Sequence, residues 1–334
     1  MTKKFERFVR PVVFPMSHTV IDKEGLYAYL VYTGQEQFVD AIEAATKQGL
    51  SEAEVLCSFY AKLCYKALVA DGRNANVTRT RDIWDNLVAT FDSAHGSVFE
   101  HVQFGFVITD CSRVYTHEQV RHRIGVAYSQ TSGRYTRLDQ IPLVWDPLLD
   151  DCRDIAEDVM QKIEDSVYLM ECRKGLRVPN PERQDRYSPE TTLEMLRSGD
   201  MTMWELHHWV PNSSLPFDVK KKITSAIRRI APNGQANELG YTVNLRALRH
   251  IIQMRTATAA EWEIRQIYSQ IFDILRKKYP LIFYGAKERM VDGAVEVTGM
   301  KINPYERTPR WEEMLVGVSD DEIHAFLLDR KLAS

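Results

Sequence analysis

Residues 37 to 70 (QFVDAIEAATKQGLSEAEVLCSFYAKLCYKALVA) carry apolar positions at helical spacing, and Gly49 and Ser51 mark a stop and a restart. Two packed helices are therefore predicted there. The rhythm changes in VQFGFVITD, where Val102, Phe104, Phe106 and Ile108 fall on one face by alternation, the pattern of a half-buried strand. Asp110 or Ser112 can then cap a helix running through SRVYTHEQVRHR, so His95 to Arg123 reads as loop, strand, helix. Val219, Ile223, Ile227 and Ile230 form a helical stripe that Pro232 ends, and Ile264, Ile267, Ile271 and Ile274 form another that Pro280 ends. The C-terminal half is expected to be mainly helical. Between these regions, Trp145 to Leu215 is acidic and irregular, with VPNPERQDRYSPE and VPNSSLP separating short helical stretches. We expect one domain over residues 1–334, with 145–215 an insertion or lid and 285–334 a tail. Within that tail, VGVSDDEIHAFLLDRKL reads as a helix capped by Ser319.

Composition narrows the function classes. A chain of 334 residues with 44% hydrophobic, 27% charged and 10% aromatic residues is neither disordered nor fibrous. The formal charge of -3 leaves no global field to draw the protein onto nucleic acid or an anionic membrane, so any phosphate binding must be local. Cys57, Cys64, Cys111, Cys152 and Cys172 form no CxxC pair, which suits a reducing compartment. The N-terminal MTKKFERFVRPVVF is charged where a signal peptide needs an apolar stretch, and no apolar run of about 18 residues occurs. A soluble, cytoplasmic protein without a membrane partner is expected.

Two segments concentrate the chemistry. In HEQVRHRIGVAYSQTSGRYTR, residues 117 to 137, Arg121, His122, Arg123, Arg134 and Arg137 interleave with Ser129, Ser132, Gly133 and Tyr135. Guanidinium forks match phosphate oxygens, and a Ser-Gly turn exposes backbone N–H donors for the same group. The alternative is a solvated basic helix end that complements the helix C-terminus. In residues 223 to 255, Arg228, Arg229, Arg246, Arg249, His250 and Arg255 recur at turn-like intervals with Asn233, Gln235, Asn237 and Asn244, and short amides suit a heterocycle. Arg249 with His250 fits a surface face equally well. AHGSVFEH, residues 94 to 101, brings His95, Glu100 and His101 together, but HxxxxEH is not the HExxH of zinc enzymes and no metal is expected. Cys111 ends the predicted strand and reads as a packed small residue. Ser132 lacks a GxSxG elbow and reads as a phosphate or base ligand.

HGSVFEH, then RHR followed by SGRY, then TVNLRALRH followed by AEWEIR, in this order, resemble the flavin-dependent thymidylate synthases. The similarity covers most of residues 95–138 and 223–280. It implies an α/β fold with a twisted antiparallel sheet flanked by helices, here with a helical insertion, assembled as a homotetramer. FAD would lie where several subunits meet. It implies conversion of dUMP to dTMP, with methylenetetrahydrofolate giving the carbon and NADPH reducing the flavin. The resemblance puts His95, Ser97, Glu100, Arg121, His122, Arg123, Ile124, Asn244, Arg246 and His250 at flavin positions. Glu118, Gln130, Ser132, Gly133, Arg134, Arg228 and Arg255 fall at nucleotide positions. The stretch from Ile124 to Thr131 is one residue longer than in the family's common motif, Gln130 stands where that motif has Glu, and Glu118 where Gln is frequent.

Methylating C5 of uracil requires negative charge to build on the ring and its carbonyl oxygens, so a preorganised cation beside the ring lowers the barrier. Arg255 is the candidate, with Ser132 and Arg134 nearest to it in role. Ser132, Gly133, Arg134 and Arg228 can build a positive nest for the 5′-phosphate. At this point UMP or a hydroxymethyl product stays open, as do a nucleic-acid-binding module using Tyr128 and Tyr135 beside RHR and an inactive scaffold that keeps the fold.

Overall fold

The structure, a computed structural model, describes residues 5–70, 74, 77, 79–136, 138, 140–179 and 209–301. After the short strand β1 (Phe8–Val9), β2 (Val12–His18) leads into four helices: α1 (Lys23–Thr33), α2 (Phe38–Lys47), α3 (Glu52–Cys64) and α4 (Ile83–Asp92). The predicted pair at 37 to 70 is α2 and α3. Gly49, at φ +87, breaks the chain between them, and Ser51 forms a capping box with Glu54, whose carboxylate accepts from the Ser51 N–H at 2.9 Å.

The sheet that positions the site has four antiparallel strands in the order β2-β3-β8-β4. Here β3 is Gln103–Ser112, β4 is Val126–Gln130, and β8, Ala236–Asn244, runs between them. Phe104, Phe106 and Ile108 from β3 and Leu239, Tyr241 and Val243 from β8 are buried in the main core, as the alternation in β3 predicts. Near its end β3 shifts register between Ile108 and Cys111, with Asp110 at φ 52, and this bulge aims Ser112 into the cap of α5 (Arg113–Gln119). The Ser112 hydroxyl accepts from Tyr115 N at 3.0 Å and is itself bonded to Glu263, which also accepts from Ser112 N at 2.6 Å. Burial pushes the Glu263 carboxyl up to about 7, against those two hydrogen bonds.

Two expectations are corrected here. The helix after β3 ends at Gln119 rather than running to Arg123, because the chain must turn sharply to enter β4, with Gly125 at φ 69. The described part of the stretch from residue 145 holds, after the short β5 (Leu143–Val144), a 21-residue helix α6 (Arg153–Arg173) where only short helical stretches are expected, and residues 180–208 lie outside the described ones. Met160 and Val167 of α6 build a second apolar cluster with Leu138, Ile141, Leu143 and Ile227. Among the described residues the C-terminal half is mainly helical, as expected, but it is not helical alone. It contains the central strand β8 and, after α7 (Phe217–Ile227), α8 (Leu245–Thr256) and α9 (Trp262–Arg276), the hairpin β9 (Lys287–Val291) and β10 (Ala294–Thr298). The two isoleucine stripes do form α7 and α9, although Ile230 lies beyond α7 and is exposed. The small pair β6 (Arg177–Pro179) and β7 (Trp209–Pro211) follows α6. The helix expected at Ser319 lies outside the described residues, and no described helix is long and apolar enough to cross a membrane.

Candidate active site

The expected site residues gather around β4, the strand at one edge of the four-stranded sheet. At its start the chain enters from Arg121, His122, Arg123 and Ile124, with the two arginines exposed and Ile124 86% exposed. Beside them begins α8. Its cap is Asn244, whose Oδ1 accepts from Ala247 N at 2.8 Å. Asn244 lies so close to Gly125 that a Cβ there would stand 2.3 Å from its Nδ2. Arg246, in the first turn of α8, reaches across to the short helical turn Gly96–His101 and donates to Glu100 Oε1 at 2.5 Å. A Cβ on Gly96 would fall 2.8 Å from Arg246 Nε, so the absent side chain is the space in which the guanidinium lies. His95 Nε2 is 2.9 Å from the Tyr65 hydroxyl. Ser97 and His250 are exposed at this same end, His250 one turn beyond Arg246 on α8.

A second group sits between α5 and the end of α8. Arg255 Nε donates to His122 Nε2 at 2.7 Å, and its Nη1 donates to Glu118 Oε2 at 2.9 Å. Burial, followed by the nearby Arg255 and His250 charges, holds His122 down at about 4. At neutral pH the ring is therefore uncharged. Because a guanidinium cannot give up its proton, Nε2 must carry the lone pair, and the ring proton resides on Nδ1. The turn that presents His122 is fastened from beneath: the Tyr128 hydroxyl lies 2.9 Å from Gln119 O and 2.7 Å from His122 O. The Tyr268 hydroxyl donates to Gln119 Oε1 at 2.9 Å and stands 3.0 Å from that of Tyr241.

The third group follows β4. Thr131 N donates to Glu238 O at 3.0 Å, and the chain then turns through Ser132, Gly133 and Arg134. Ser132 Oγ accepts from Arg134 N and Arg134 Nε, both at 3.4 Å, the geometry of a turn-forming ligand with no base beside it. Gly133 is buried between two arginines: a Cβ would lie 3.3 Å from Arg113 Nη2 and 3.5 Å from Arg228 Cδ. Among the described residues none of Arg113, Arg134 and Arg228 is paired with a carboxylate, so three guanidiniums converge on one turn. Gln130 Nε2 donates to Thr116 Oγ1 at 3.1 Å.

The structure thus brings Arg228 to Ser132–Arg134 and Arg255 to His122 and Glu118. It does not bring Arg246 to Arg134, because they lie at opposite ends of β4, whose five residues span roughly 17 Å. Arg113 was missed in the sequence, where it reads only as the first residue of α5. Arg249, in contrast, is a structural arginine: it is 2% exposed, donates to Ile282 O at 2.5 Å, and lies 4.5 Å over the Phe91 ring. Cys111 is buried, with its thiol pushed well up by burial, as a packed residue should be. Arg137 lies outside the described residues. Among those residues, no group of three or more His, Cys, Asp or Glu side chains is arranged to hold a metal ion.

Sequence comparison places the chain in a family. The family model described as thymidylate synthase complementing protein matches residues 47–281. A flavin-dependent thymidylate synthase of Clostridium tetani is 26% identical over 235 residues, 70% of this chain and 82% of the relative. One of Corynebacterium diphtheriae is 26% identical over 256 residues, 76% of this chain and 88% of that one. Among solved structures, a UMP/dUMP methylase from Streptomyces cacaoi bound with 5-Br dUMP covers 83% of this chain and 95% of its own, at 14% identity and a TM-score of 0.45. Thymidylate synthase X from Helicobacter pylori, with FAD and dUMP, covers 69% and 92%, at 17% identity and a TM-score of 0.39. With the family match extending from the end of α2 through α9, the chain belongs to the thymidylate synthase complementing protein family, that of the flavin-dependent thymidylate synthases.

Proposed function

We propose that this chain forms a homotetramer that methylates dUMP to dTMP, with methylenetetrahydrofolate as carbon donor, NADPH as reductant and FAD as bound cofactor. The observation that carries the reading is Arg255, held by His122 and Glu118 between two arginine-rich ends of one strand. The residues fit FAD: the cradle over Gly96 leaves room for Arg246, and Arg121, Arg123, Arg246 and His250 offer exposed donors of the kind a pyrophosphate takes. When bound, the flavin passes on the two electrons of NADPH that bring the transferred carbon from the methylene to the methyl level. His95, Ser97, Glu100, His122, Ile124 and Asn244 complete its surroundings.

At the other end, Ser132, Gly133, Arg134 and Arg228, joined by Arg113, hold the nucleotide's 5′-phosphate, and Gln130 and Glu118 face its base. Arg255 directs its remaining Nη protons at the uracil carbonyl on which negative charge builds. Its partners hold it in place before the reaction begins, so little reorganisation is needed as the charge appears. Neutral His122 is required for this, since an imidazolium would repel the guanidinium and lose its acceptor. Relatives named flavin-dependent thymidylate synthases support the reading.

The test is to load the purified protein with FAD and measure tritium release from C5-labelled dUMP with NADPH and methylenetetrahydrofolate, identifying the product by mass. Yellow protein that releases tritium and yields dTMP is expected. Protein that takes up no FAD and releases no tritium overturns the proposal, and release from UMP alone would replace the substrate.

A further inference from the structure

Beyond the Gly133 turn the protein opens a cleft of about 320 Å³ that the site described so far does not use. This is at the lower end of the roughly 300–1,000 Å³ typical of small-molecule sites. One wall is Arg134, Tyr135 and Thr136, which follow β4. Another is the end of α6 with β6, and the third is the first turns of α7, with Phe217, Lys220 and Lys221. Further out, Arg134 and Lys221 are joined by Lys222, with Asp218 at the rim.

The walls are cationic with an apolar shelf. Tyr135 and Phe217 lie nearly parallel, with ring centroids 6.1 Å apart, and are 57% and 65% exposed. Arg134 and Lys221 stand 5.7 and 5.6 Å from the Tyr135 ring centre, which keeps both charges against the shelf. Glu171 and Arg177 form a buried pair at 2.6 Å, and both have further partners. Besides Glu171, Asp218 is the one carboxylate among the described lining residues, which also include Arg134, Lys220, Lys221 and Lys222.

We propose that this cleft receives the γ-linked glutamate carboxylates of the folate co-substrate, an inference that rests on the carbon donor proposed above. Arg134 faces both the Gly133 turn and the cleft. An anion bound beyond it therefore belongs to a molecule lying next to the nucleotide. Arginine forks suit phosphate, and they are gathered at Gly133; the outer cations are lysines, point charges on flexible stems that suit separate carboxylates at uneven spacing. The methylenes of each glutamyl unit lie on the Tyr135–Phe217 shelf. The same cations would also attract the phosphates of the nicotinamide dinucleotide, and the experiment separates the two sources.

The FAD-loaded enzyme is assayed with methylenetetrahydrofolate carrying one or five glutamates, as wild type and as Lys220→Ser/Lys221→Ser, and binding of both folates is measured separately by equilibrium titration. In the wild type the longer tail should lower KM and Kd by about tenfold, equivalent to roughly 1.4 kcal/mol, an advantage that shrinks with added salt. The double variant should lose most of that advantage, keep its KM for dUMP and NADPH, and recover the advantage as Lys220→Arg/Lys221→Arg. Equal values for the two folates in the wild type overturn the inference, as does a tail advantage that survives the serine variant, or a rise in the NADPH KM alone. Turnover without tail dependence rejects only the cleft assignment. Absence of both turnover and folate binding rejects the carbon donor as well.

Discussion

Arg255 has to stay charged, stay fixed and still keep protons free for a ligand. His122 and Glu118 meet the first two needs by accepting from Nε, from Nη1 and, at 3.4 Å, from Nη2, which leaves one proton on each Nη. Arg134 is exposed on a turn and has no such support. The two arginines should therefore fail differently. Arg134→Ala should raise KM for dUMP while leaving flavin reduction intact, and Arg255→Ala should bind dUMP yet lose C5 proton exchange by about 100-fold or more. Measured on one Arg255→Ala sample, normal exchange with a lowered melting temperature would sink the catalytic role and leave only a helix-end contact. At this scale the sequence exposed residue types but not their partners. Arg249 and Arg255 lie six residues apart in one basic segment, and nothing in their spacing tells that one is buried under Phe91 and the Ile282 carbonyl while the other is tied to His122. Arg113 was illegible because its significance depends on Gly133, twenty residues away and across a fold.

Elements with a clean period were legible, and those with mixed demands were not. The capping box at Ser51 and the alternation of β3 can be read directly because local chemistry and burial agree there. Strand β8 also alternates, through Asn237, Leu239, Tyr241 and Val243. Its arginine- and asparagine-rich surroundings drew attention to ligand chemistry instead. The early end of α5 follows from the return into β4, a tertiary requirement signalled only by Gly125. That glycine offers a test. Gly125→Ala combines a left-handed backbone with a Cβ 2.3 Å from Asn244 Nδ2, so it should lose backbone comfort and the cap of α8 together. Gly49→Ala, at φ +87 with nothing within 4 Å, suffers only the backbone strain. Chemical denaturation should show Gly49→Ala costing about 1 kcal/mol and Gly125→Ala about 2–4 kcal/mol. Equal losses would mean that Asn244 moves aside without cost.

For the whole molecule, the distance along β4 matters most. Arg246 and Arg134 stand at its two ends, so a ligand pair that must react face to face is enclosed more readily if a second chain supplies one end. Mixing Arg134→Ala with Arg246→Ala, at dUMP too dilute for the first to turn over alone, should restore partial activity when subunits exchange. Proven exchange with no recovery would place both groups of one site in a single chain. A different consequence arises from Glu263, behind the cap of α5. Its carboxyl holds a proton up to about pH 7, whereas the same group in an unfolded chain lets it go near 4.5. Between these values folding takes up a proton. The stability contributed by this linkage is whole below about pH 4.5 and is lost as pH rises through 7. The molecule thus keeps a small proton reservoir beneath its site, and mild acid, which loosens many proteins, acts through this group to remove the cost of a charge buried behind the helix that carries Glu118.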